Sequence, residues 1–135
     1  MRALCVGLGG IAGTLARYFF STQLNSISLF PWGTCAVNLL GSFFLAFFLT
    51  VALRHMQQRT FIVLAVSTGF TGSFTTFSSL SVESVNLLYK SPLVCLAYVS
   101  ASLLAGLALA YGGRLLGEFL SGLIGPSERE AEIIE

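Results

Sequence analysis

Residues 67–84 read STGFTGSFTTFSSLSVES, and the fold of this 135-residue chain turns on how that stretch sits inside its third long apolar run. Gly69 and Gly72, with Ser and Thr crowded between Ser67 and Thr76, weaken a helix in the middle of a span, so a break is expected near Gly72 to Thr76. A break releases amides and carbonyls at membrane depth. Hydrocarbon tolerates such groups only where they are buried in protein, face water or coordinate an ion, which makes this segment the expected functional centre. The alternative is a kink satisfied by the local Ser and Thr hydroxyls.

The rest of the chain explains why a bilayer is the relevant solvent. It is 55% hydrophobic and 10% charged, with a mean hydropathy of +0.84. A soluble domain carries about 25% charged residues, because its surface must be wetted. Cut at its charges and prolines, the sequence yields four apolar segments: Ala3 to Phe20, Gly33 to Leu53, Phe61 to Tyr89 and Leu93 to Leu116. A helix needs roughly 20 residues to cross the hydrocarbon core. The expected fold is an all-α integral membrane protein of four transmembrane helices, with the third broken mid-membrane. Residues 1–116 form the membrane domain and residues 117–135 a polar, acidic C-terminal tail. The connections, Ser21 to Pro31 (with Asn25 and Ser26), Arg54 to Thr60 and Tyr89 to Pro92, are too short to be domains.

The first run is expected to be retained as a span rather than cleaved as a signal peptide: it is glycine-rich, continues through Arg17, lacks a convincing small-residue cleavage site and precedes three more spans. Arg2, Arg54, Arg59, Arg114 and Arg129 fall on the side of both termini, and Arg17 and Lys90 on the other. The positive-inside rule puts the termini in the cytoplasm by a narrow margin, since Arg129 lies in the acidic tail. Seven basic and six acidic residues leave no basic patch for nucleic acid. No nucleophile and base pair, metal cluster or phosphate loop is visible, which excludes ordinary enzyme chemistry. Cys5, Cys35 and Cys95 lie in apolar runs without metal or redox spacing and read as small buried hydrophobes.

Polar residues inside the spans carry the functional information. On the second helix Thr34, Asn38, Gly41 and Ser42 share one face, while Phe43, Phe44, Phe47 and Phe48 look toward lipid or packing partners. Asn38 reads either as an interhelical hydrogen bond or as an uncharged donor that replaces part of an anion's hydration shell. On the fourth helix Tyr98, Ser102, Ala105 and Gly106 line one face, beside a small-residue ridge of Ala97, Ala101 and Ala105. On the first, Gly9 and Gly13 read as close packing, and Arg17 as a side chain that snorkels or holds a carbonyl or anion. Beyond the break, Phe74 and Phe77 are three apart, and Thr76, Leu80 and Glu83 share a helical face. A phenylalanine ring presented edge-on is a weak anion ligand, although most membrane phenylalanines only pack. Glu83 caps a polar track, bonds to neighbouring hydroxyls or Tyr98, or lies near a wet interface.

Three segments, GGIAGTLARY (9–18), GTCAVNLLGSF (33–43) and GFTGSFTTFSS (69–79), resemble the signature segments of the small four-helix fluoride channels, the Fluc or CrcB family. The resemblance covers the whole four-span plan. It implies a dual-topology antiparallel homodimer with two fluoride pores and a structural sodium ion at its centre, passively exporting fluoride that entered as HF. It also implies roles: Asn38 as the pore asparagine, Phe77 as the first pore phenylalanine, Thr34, Glu83, Tyr98 and Ser102 in the polar path, and Arg17 closing the first motif. Gly72 and Thr75 match the positions whose backbone carbonyls hold the sodium. Two departures stand out. Leu80 replaces a second pore phenylalanine, leaving the aromatic box incomplete, and Gly106 replaces a further track serine. The narrow charge bias leaves room for a heterodimer with a paralogue.

Two other classes compete with this reading. A small proton-coupled multidrug exporter has four short spans but needs an acidic residue in the first helix, where this chain has only Arg17. A noncatalytic membrane assembly subunit would use Ser and Thr only to glue helices, against which stands their concentration at the expected break.

Overall fold

The computed structural model describes residues 1–24 and 29–124. Asn25 and Ser26, Arg129 and the tail from residue 125 onward lie outside the described residues. All regular elements among the described residues are helical: α1 (Arg2–Leu24), α2 (Trp32–His55), α3 (Thr60–Val63), a π-helical stretch (Leu64–Thr71), α4 (Gly72–Phe74), α5 (Phe77–Lys90) and α6 (Pro92–Ile124). Four helical runs, with Thr60–Lys90 as the third, are long and apolar enough to cross a membrane.

Local chemistry sets the element ends. Pro31 precedes α2 and Pro92 opens α6, a position where the missing N–H costs nothing. Arg54 and His55 close α2 and Lys90 closes α5, where positive charge meets the negative end of the helix dipole. Between α4 and α5 the helix is interrupted: Thr75 (φ −74°, ψ 154°) and Thr76 (φ −147°, ψ 118°) are extended.

Glycine notches set the packing. α1 lies against the π-helical stretch, with Gly13 facing the backbone carbonyl of Phe70 so closely that a Cβ would collide with it. α6 lies parallel to α2, and Gly113 faces the carbonyl of Phe43 in the same way. Tyr98, Ser102, Gly106, Gly113, Gly117 and Ser121 form the buried row of α6. Large apolar side chains such as Leu4, Leu8, Ile11, Leu15, Leu103 and Leu107 point outward, as expected where lipid is the solvent.

Several details depart from the sequence-based expectation. α6 continues eight residues past Leu116 because Gly117 packs on Thr50 and Ser121 is buried, so residues 117–124 are helix rather than tail. The row of α6 that meets α2 is Ser102–Gly106–Gly113–Gly117, and the Ala97 and Ala101 positions of the ridge beside it face outward from the single chain. Of the three free thiols, Cys35 is buried while Cys5 and Cys95 are half-buried. The wide turns of Leu64–Thr71, where the Thr71 hydroxyl donates to the Val66 carbonyl at 2.9 Å, have no signature in the hydrophobic pattern.

Candidate functional site

Two polar clusters meet where α2 faces the interruption and α5. The first is built on Asn38. Its Nδ2 donates to the Thr76 carbonyl at 3.0 Å, and its Oδ1 accepts from the Thr76 N–H at 2.8 Å. The whole Thr76 peptide edge is thus satisfied by one side chain. Asn38 carries a second amide N–H beyond the one given to Thr76, and it lines a cavity of about 260 Å³ with Gly41, Ser42, Leu45, Thr75, Thr76 and Phe77. The Ser42 hydroxyl donates to the Asn38 carbonyl at 2.8 Å. Phe77 is 80% exposed, so its ring stands outside the packing of its own chain.

The clasp redirects the backbone donors around it. In a continuous helix the Thr76 N–H would serve the Gly72 carbonyl and the Ser79 N–H the Thr75 carbonyl. Here the first goes to Asn38 and the second to the Thr76 hydroxyl at 3.2 Å. Thr76 is the N-cap of α5, and its hydroxyl also donates to Ser79 Oγ at 3.1 Å. The Thr75 N–H and hydroxyl both donate to the Thr71 carbonyl, each at 3.0 Å. The carbonyls of Gly72 and Thr75 therefore lose their helical donors, and a Cβ on the exposed Gly72 would meet nothing.

The second cluster centres on Glu83. Thr34 Oγ1 donates to Oε1 at 2.7 Å and the Tyr98 hydroxyl to Oε2 at 2.6 Å. Tyr98 is fully buried and Thr34 is 1% exposed, so three spans are tied through one carboxylate. Of the readings open for Glu83, bonding to hydroxyls and Tyr98 is the one observed. Phe30 meets the Tyr98 ring edge-on at 5.3 Å. Leu80 packs on the core of Cys35, Leu87 and Tyr98, and the Ser102 hydroxyl points at Cys35 Sγ, 3.9 Å away.

The structure thus brings Asn38, Thr76 and Phe77 together at one group and Thr34, Glu83, Tyr98, Leu80 and Ser102 at or beside the other. Arg17 joins neither: its Nε is buried without a hydrogen-bond partner. Ser79 is not among the site residues expected from the sequence, and Cys35 is expected there only as a small buried hydrophobe. The Thr76–Phe77–Ser78–Ser79 run, a hydroxyl three residues before a helical N–H, is the N-cap signature that points to Ser79. Cys35 had no such signal. Among the described residues no group of three or more His, Cys, Asp and Glu is placed to hold a metal.

Four apolar spans with polar groups concentrated between them define a multi-pass α-helical membrane protein whose inward-facing polar groups are joined across the spans by hydrogen bonds. Residues 4–114 match the family described as CrcB-like protein, Camphor Resistance (CrcB), and the chain belongs to that family. Its relatives include the fluoride-specific ion channel FluC 1 of Bacillus cereus, 40% identical over 120 residues that cover 87% of this chain and 83% of the relative. The fluoride-specific ion channels FluC of Thermosipho melanesiensis (38% identical; 87% of this chain, 96% of the relative) and Thermotoga maritima (38%; 84% and 92%) are similar over the same plan. These relatives are channels, and the family is not an enzyme family.

Proposed function

We propose that the chain is a fluoride-selective channel of the plasma membrane that passively exports cytoplasmic fluoride and so lowers its toxicity. The observation that carries this reading is Asn38 lining the cavity with Phe77, with one amide N–H held by Thr76 and the other available. Fluoride is small and strongly hydrated, so a selective path must offset dehydration with fixed, close donors. An amide N–H and a ring edge do so without a cation that would trap the ion. The path runs past Asn38, Phe77 and Thr76 and along the Thr34, Glu83, Tyr98 and Ser102 hydroxyl and carboxyl groups. Leu80 takes the place of a second ring, and Arg17 attracts the anion at one mouth.

The interrupted third span lies mid-membrane in this reading, and two copies cross there as a dual-topology antiparallel homodimer, or with a paralogue. The 80% exposure of Phe77 supports it, since a ring that serves a pore needs a wall its own chain does not supply. A structural sodium fits the donor set: the carbonyls of Gly72 and Thr75, stripped of helical donors, are hard neutral oxygens suited to a monovalent cation. Bound there, it would supply positive charge and cross-link the spans. A multidrug exporter is not favoured, because α1 holds no acidic residue.

Fluoride efflux from liposomes containing the purified chain, read with a fluoride electrode, tests the proposal. Efflux of fluoride but not chloride is expected; silence, or equal chloride flux, would sink it.

A further inference from the structure

A second polar cavity, of about 610 Å³, lies far from the Asn38 and Glu83 groups and is lined by Thr50, Leu53, Arg54, Arg114 and Glu118. Its depth follows from helix length. Arg54 follows Trp32, the first residue of α2, by 22 positions, and Arg114 follows Pro92, the first of α6, by 22. At 1.5 Å per residue both guanidinium-bearing positions stand about 33 Å from starts on the same face of the membrane. The hydrocarbon core is about 30 Å thick, so both arginines reach the opposite headgroup layer together.

The charges there are only partly matched. Arg114 Nε binds Glu118 Oε1 at 2.8 Å, which leaves its terminal N–H groups. Arg54, half-buried, has no ion pair among the described residues. Two guanidiniums against one carboxylate leave a net positive cavity, and guanidiniums match phosphate oxygens in fork geometry. Leu53, exposed beside Thr50, adds an apolar wall to the cavity. We propose that this cavity binds the phosphate of an anionic phospholipid headgroup, with Arg54 and Arg114 as its ligands. The shared chemistry is a phosphate group, and the headgroup depth assigns its source to the membrane rather than to solution.

The test titrates the detergent-purified full chain with dioleoylphosphatidylglycerol or dioleoylphosphatidylcholine and counts retained lipid by native mass spectrometry. Phosphatidylglycerol should be retained preferentially. The double variant Arg54→Gln/Arg114→Gln should lower its retention roughly 25-fold, to the phosphatidylcholine level, at about fivefold per arginine. Fluoride efflux of that variant should match the parent, since neither residue belongs to the proposed path. Glu118→Gln, which removes the competing carboxylate, should raise retention several-fold and serves independently if the double variant does not fold. Equal retention of the two lipids, or retention indifferent to both variants, would overturn the site. Displacement of phosphatidylglycerol by millimolar inorganic phosphate would overturn the lipid assignment.

Discussion

The Asn38 side chain grips the Thr76 peptide from both ends, donating to its carbonyl at 3.0 Å and accepting from its N–H at 2.8 Å. This reciprocal pair closes the interruption between α4 and α5 against α2. Asn38→Asp keeps the acceptor but sets a carboxylate oxygen against the Thr76 carbonyl. It should destabilise the chain by about 1–3 kcal/mol, the cost of an unsatisfied buried group, and oppose anion entry by like charge. Fluoride efflux should fall sharply, and detergent unfolding should shift with it. Normal efflux with unchanged selectivity would show that Asn38 only packs.

Phe77 separates function from folding more cleanly. Its ring makes little contact within the chain, being 80% exposed, so Phe77→Ile should change the stability of the isolated chain by no more than about 0.5 kcal/mol. It removes the positive ring edge while roughly keeping the volume. A large drop in fluoride efflux at unchanged unfolding is expected. Full efflux would remove the ring from the path.

How much of this was legible from residues alone depends on the kind of force. Four spans were readable because hydrocarbon imposes length and apolarity on each segment, and the notch at Gly13 was readable because only a missing side chain lets backbones touch. The α6 face through Tyr98, Ser102 and Gly106 also followed from the helical repeat. The extension of α6 to Ile124 was hidden, because Gly117 and Ser121 look polar until α2 is set beside them. The Asn38–Thr76 clasp was hidden too: periodicity gives a residue's face, not which peptide across a gap it will meet. The Leu64–Thr71 π-helical turns depend on hydroxyl placement, for which the sequence has no period.

Neighbouring glycines on α6 give a paired stability test. A Cβ on Gly113 would strike the Phe43 carbonyl, whereas one on Gly112 meets nothing within 4 Å. Gly113→Ala should cost about 1–3 kcal/mol by overpacking. Gly112→Ala should stabilise slightly, by up to about 1 kcal/mol, through helix propensity. Unfolding in detergent with a chemical denaturant reads both. Equal effects would mean that α6 does not lie against α2 as described.

The proposed sodium is tested by removing the ion. With sodium replaced throughout by N-methylglucamine, too large for a cage of Gly72 and Thr75 carbonyls, dimers should dissociate more readily and fluoride efflux should fall. Re-adding sodium should restore both. Indifference on both counts would favour a plain kink whose carbonyls face water.

Glu83 is held by two hydroxyl donors on two other spans, Thr34 Oγ1 at 2.7 Å and the Tyr98 hydroxyl at 2.6 Å. Removing a donor takes one hydrogen bond from the Glu83 carboxyl group in a site where Tyr98 is wholly shielded from solvent. Hydrogen bonds to charged groups contribute about 1.5–3 kcal/mol, so Tyr98→Phe should destabilise the chain by an amount in that range. The ring remains, and with it the edge-on contact to Phe30, so packing is not the cause of the loss. Thr34→Val, nearly isosteric, should have a comparable effect at the other oxygen. Because both bonds end on one carboxylate, the two substitutions should be non-additive by at least about 0.5 kcal/mol in a double-mutant cycle. Repeating the cycle on a Glu83→Gln background should abolish most of that coupling. Additive effects with Glu83 intact would show that the three side chains are neighbours without acting as one unit, and would take Glu83 out of the continuous polar path.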